Sequence, residues 1–123
     1  MVQTEISQLA TECKEWRQIL RNYRDEFQNF KKSLPDICKK GLSKEQFVSV
    51  EHFDNQFHIQ LINIHDLKQS IKTHERNIER EADNISEDRY RMHEELLAEF
   101  LSLESSLQEL RNDFSRFVSA TSC

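Results

Sequence analysis

An all-α fold, a long antiparallel up-down-up three-helix bundle, follows from three observations. Apolar residues recur at steps of three and four along most of the chain, a period of 3.5 residues. Only two stretches break that rhythm, and both carry capping or turn residues. No stretch alternates Val, Ile and Thr between turn residues as strands do. Composition agrees. One Gly and one Pro in 123 residues leave few breakers, and eight Phe with one Trp supply aromatic mass that disordered chains lack. The length suits a single domain over 1–123.

Helix 1 is expected over about 4–34. Ile6, Leu9, Cys13, Trp16, Leu20, Tyr23, Phe27, Phe30 and Leu34 step by three and four without exception. The segment SLPDICKKGLS then interrupts. Pro35 disfavours helix at Leu34, although a short turn can restart at Pro35 itself. Lys39 and Lys40 suit a helical C-terminus, and Gly41 suits a left-handed residue after it.

Ser43 followed by Gln46 is a capping box, so helix 2 begins near Lys44 and is expected over 44–85. Its seam is Val50, Phe53, Phe57, Gln60, Ile64, Leu67, Ile71, His74, Ile78, Glu81 and Ile85. Continuing that seam would bury Asp88, Glu95 and Glu99, whereas the seam positions that follow are His93, Leu96, Phe100, Leu103, Leu107, Leu110, Phe114 and Phe117. The phase therefore breaks within NISEDRYRMH. Asn84 followed by Glu87 reads as a second cap, and helix 3 is expected over 88–119.

Coiled-coil-like heptad packing about a turn centred near residue 87 gives layers. They include Leu9/His74/Phe100, Trp16/Leu67/Leu107, Tyr23/Gln60/Phe114 and Phe27/Phe57/Phe117, with Glu81 facing His93. In this register Tyr23, Gln60, His74, Glu81 and His93 form a polar subset of the core that sets alignment. The basic stripe Lys14, Arg17, Arg21, Arg24 and Lys31 faces the acids of helix 3 in weak solvated pairs.

Few sites of chemistry stand out. One glycine cannot build a phosphate-cradling loop. Cys13 reads as a core residue, and Cys38 has no neighbouring His to activate it. His58 and His65 are about 10 Å apart along one helix, too far to share an ion. Three cysteines without CxxC spacing, in a chain that opens with no basic-then-apolar signal, read as free thiols in the cytoplasm. A net charge of −5 is the wrong balance for a general nucleic-acid binder, and no run is apolar for the ~18 residues of a membrane span.

The expected function is non-enzymatic, without cofactor or catalytic or metal residues: a helical protein-interaction module or assembly subunit. Its partner is a second copy or another helical protein. Ile19, Ile59, Ile62, Leu97 and Leu101 lie off the seams and form the candidate partner surface. A chaperone- or secretion-type adaptor is the alternative, and a His/Glu metal-binding bundle on His74, Glu81 and His93 is a third reading.

Overall fold

The computed structural model describes residues 2–37, 41–81 and 84–121. The chain is a three-helix bundle: α1 Val2–Ser33, α2 Lys44–Arg80 and α3 Glu87–Thr121. Cys38, Lys39, Lys40 and Cys123 lie outside the described residues.

Local chemistry explains each boundary. Helix α1 stops at Ser33, one residue before the Leu34 that Pro35 constrains. A single 3-10 turn, Leu34–Asp36, follows, and the Ile37 N–H donates to the Leu34 carbonyl at 3.3 Å. Gly41 has φ +103°, a conformation side-chain-bearing residues rarely adopt. The expected capping box opens α2: Ser43 Oγ accepts from the Gln46 N–H at 3.1 Å, and Gln46 Oε1 accepts from the Ser43 N–H at 2.9 Å.

The second connection departs from expectation. Helix α2 ends at Arg80, five residues before Ile85, and the reason lies in Glu81. Its carboxylate accepts the Ser86 N–H and the Arg89 Nε–H, each at 3.1 Å. Both bonds draw the chain back toward the bundle. Ile85 is buried as a plug in the connection rather than as a helical residue. The cap of α3 is Ser86, not Asn84. Its Oγ accepts the Arg89 N–H at 3.1 Å and its carbonyl accepts the Tyr90 N–H at 3.1 Å, while Asn84 is exposed. Glu87 and Asp88 then sit at the positive end of the helix dipole.

The contacts between helices reveal a changed register. Residue numbers fall along α2 as they rise along α1, from Arg17–Glu75 through Phe27–Phe57 to Lys31–Asp54. These agree closely with the expected α1–α2 alignment at the phenylalanine end. Helix α3 does not. His74 meets His93 where the expected layers hold Phe100, and Trp16 meets Phe100 where they hold Leu107. Each is a slip of seven residues. Between α2 and α3 the slip at the phenylalanine end is smaller, with Phe57 meeting Phe114 in place of Phe117, while Phe30 meets Phe114 at the same offset as Trp16 and Phe100. The cause is the connection: with α2 ending at Arg80 and α3 starting at Glu87, the turn is centred about three residues earlier than the sequence suggests.

Aromatic contacts concentrate at the end near the first connection. Six of the eight phenylalanines cluster there, with Phe57–Phe114 at 4.9 Å, Phe53–Phe117 at 5.1 Å, Phe30–Phe114 at 5.1 Å and Phe27–Phe57 at 5.6 Å between ring centroids. Edge-on and tilted geometries predominate, which suits the ring quadrupoles. Phe27 and Phe57 are wholly buried. The aliphatic middle, Leu20, Ile64 and Leu107, is sealed as well.

Candidate functional site

The slip of α3 creates a buried cluster that the sequence register keeps apart. Cys13 comes from α1, His74 from α2 and His93 from α3, and they are 0%, 4% and 5% exposed. One donor atom from each lies within 4.8 Å of the other two. His74 Nε2 and His93 Nδ1 are in hydrogen-bond contact at 3.0 Å. The Trp16 ring closes one side, its centroid 4.7 Å from that of His93.

Helix geometry places these residues on core positions for ordinary reasons. Cys13 falls between Leu9 and Trp16, one turn from each, on the buried stripe of α1. His74 lies three residues beyond Ile71 and four before Ile78, both fully buried. His93 lies seven residues before Phe100, on the same face.

Burial governs the electrostatics. It pushes the Cys13 thiol up to about 12, with the Glu75 and Glu12 carboxylates adding to the effect. Burial also brings His74 down to about 4, reinforced by His93 and Arg89. Without a cation, the thiol is therefore protonated and the His74 imidazole neutral at pH 7.

Around the cluster stand three carboxylates in different states. Glu75 is buried and held by Arg17 at 2.7 Å, with Lys14 at 4.0 Å. Glu81 is held by the Ser86 N–H and Arg89, which keep its carboxyl below the usual range. Glu12 differs: its Oε2 is 3.6 Å from His93 Nε2, and both atoms are buried without a hydrogen-bond partner. A cavity of about 280 Å³ runs beside His74, with Asn77, Met92, Glu95 and Glu99 on its walls.

The other anticipated polar residues scatter. Glu81 does not face His93, because the shifted register gives it Arg89 and gives His93 His74. The Tyr23 hydroxyl does not bond to Gln60. It donates to Glu104 at 3.1 Å and accepts from Gln108 at 3.3 Å, while Arg111 lies over the Tyr23 ring. Gln60 is half-buried and accepts from Asn63 on its own helix. The basic stripe of α1 turns mainly toward α2 rather than acidic α3: Lys14 and Arg17 meet Glu75, and Lys31 meets Asp54 at 2.6 Å. Between α1 and α3 the charges are reversed, with Arg111 of α3 on Glu26 of α1.

Of the off-seam apolar residues, Ile59, Ile62, Leu97 and Leu101 are exposed. Ile19 instead packs partly buried against the core. Phe47, Val48, Tyr90, Met92 and Val118 are further exposed hydrophobics that the seam pattern does not single out. The thiol–imidazole cluster is hidden in the sequence for a specific reason. Cys13 reads there as a core residue, and His74 and His93 fall in different layers.

The chain matches no protein-family model, no curated protein and no solved structure.

Proposed function

We propose that this chain is a non-enzymatic helical interaction module that pairs with a second copy of itself through the outer face of α2. One observation carries the reading. Val48, His52, Asn55, Ile59 and Ile62 are all exposed, and they follow one another at steps of four, three, four and three. That is the spacing of a helix seam, yet it lies on the side of α2 turned away from the buried stripe of Phe57, Ile64 and Ile71. The stripe contains no Asp, Glu, Lys or Arg over its length of about 21 Å.

A stripe of this kind favours another helix. Apolar anchors supply the contact area, and His52 and Asn55 supply polar groups that can fix alignment. A second copy suits it because a two-fold axis sets the same uncharged stripe against itself. The acidic balance of the chain then lies outside the contact, where salt screens it.

Mass measurement by light scattering at rising concentration tests this. The wild-type chain is expected to reach twice the monomer mass, and an Ile59→Glu/Ile62→Glu variant to stay monomeric with unchanged helical content. A wild-type chain that remains monomeric at high micromolar concentration overturns self-pairing. A double variant that still dimerises removes this face from the contact.

A further inference from the structure

We infer that Cys13, His74 and His93 form a binding site for one divalent transition-metal ion of the zinc class. Such a site does not depend on how α2 pairs on its outer face.

Donor chemistry comes first. A thiolate and two imidazoles offer one sulfur and two nitrogens, a set that suits Zn²⁺ and its spectroscopic substitute Co²⁺ and does not suit Ca²⁺ or Mg²⁺. Tetrahedral zinc holds sulfur at about 2.3 Å and nitrogen at about 2.0–2.1 Å, so its donors sit about 3.3–3.7 Å from one another. The two imidazole nitrogens are already 3.0 Å apart, and the sulfur lies within 4.8 Å of both. Small side-chain rotations close the remaining gap. Three protein ligands leave a fourth position for water or an added anion.

The surroundings of His93 argue for more than a tolerated polar core. A metal-bound histidine commonly donates its other ring N–H to a carboxylate, which sets its tautomer and orientation. Glu12 is placed for that role. It faces His93 Nε2 while His93 Nδ1 faces the cluster, and the two facing atoms are the buried orphans noted above. A proton on His93 Nε2 gives Glu12 a donor and leaves the Nδ1 lone pair aimed at the ion. A bare Nε2 would instead set two lone pairs against each other. A hydrophobic role for Cys13 and one bond between two histidines account for neither orphan.

Charge and protons balance. Glu75 and Glu81 are already paired with cations, so Glu12 remains. One thiolate and one Glu12 carboxylate offset the two positive charges of the ion. On binding, the S–H bond of Cys13 breaks and its proton leaves to solvent as the S–metal bond forms. The His74 Nε2 proton, which the facing His93 Nδ1 now accepts, moves to His74 Nδ1 through solvent, and Nε2 becomes a ligand. No oxidant or reductant is involved. The cavity that reaches His74 has Glu95, Glu99 and Arg89 on its walls.

The test is titration of the chelator-stripped full chain with Co²⁺. It uses a Cys38→Ser/Cys123→Ser background, so that Cys13 is the sole thiol. The expected result is one Co²⁺ per chain, with visible bands of tetrahedral intensity and a sulfur-to-cobalt charge-transfer band in the near ultraviolet. Zn²⁺ should bleach both at one equivalent. Cys13→Ser should lose the charge-transfer band while the helical circular dichroism persists. Glu12→Gln touches no donor atom and should keep the spectrum while weakening affinity by about 10–100-fold. No charge-transfer band at stoichiometric Co²⁺ overturns the site. So does a band that survives in a folded His74→Leu/His93→Leu variant.

Discussion

His74 Nε2 and His93 Nδ1 lie 3.0 Å apart at the centre of the bundle, joining α2 to α3 by a side-chain contact among buried rings. In the metal-stripped protein this pair makes stability sensitive to pH. His74 is held at about 4 in the folded chain against an ordinary value of 6.5. The unfolded chain therefore takes up a proton first as pH falls. The stability tied to the neutral ring is fully present above pH 6.5, declines below it, and is lost once pH passes about 4. Groups acting on the ring are His93, Arg89 and Glu81, of which Glu81 favours the charged form. Urea midpoints at about pH 7.5, 6.0 and 4.5 with chelator present should fall in that order, and His74→Leu should flatten the decline across that range.

Ser86, not Asn84, starts α3, and substitution separates the two. Ser86→Ala removes the acceptor for the Arg89 N–H and should cost about 1 kcal/mol. Asn84 is exposed, and Asn84→Ala should change stability by no more than about 0.5 kcal/mol. Chemical denaturation monitored by circular dichroism measures both. Equal losses would restore Asn84 as the cap.

The phenylalanine cluster should dominate folding energy. Phe57 is fully buried between Phe27, Phe53 and Phe114. Phe57→Ala should cost about 3–5 kcal/mol, from lost transfer energy and an unfilled cavity. Phe47 is 53% exposed on the same helix, and Phe47→Ala should cost under about 0.5 kcal/mol. The contrast between the two checks that α2 presents the described face.

Tyr23 reports the register of α3. Its hydroxyl engages Glu104 and Gln108. A double-mutant cycle of Tyr23→Phe with Glu104→Gln should show coupling of about 0.5–1.5 kcal/mol. A cycle of Tyr23→Phe with Gln60→Ala should be additive within about 0.5 kcal/mol. Coupling to Gln60 instead would restore the Tyr23–Gln60 polar pair read from the sequence.

What was legible in the sequence was local. The 3–4 spacing marked the buried stripes of three helices, and Ser43 with Gln46 marked the start of α2 to the residue. Pro35 and Gly41 marked the first connection, because fixed φ and left-handed φ are properties of single residues. The end of α2 was less legible. Glu81 leaves the helix because Ser86 and Arg89 return to it, and those bonds exist only after the chain has turned.

The alignment of α3 was decided by tertiary structure alone, and with it the cluster. Two seams with a seven-residue repeat fit together in registers one heptad apart with almost the same apolar overlap, so periodicity cannot choose between them. The choice fell to the shape of the connection, with Ile85 buried and Glu81 bridging Ser86 and Arg89. That choice moved His93 from Glu81 to His74, beside Cys13 and Glu12. The sequence by itself determined three helices and the faces they bury. Only their packing decided that a thiol, two imidazoles and the Glu12 carboxylate meet at one point.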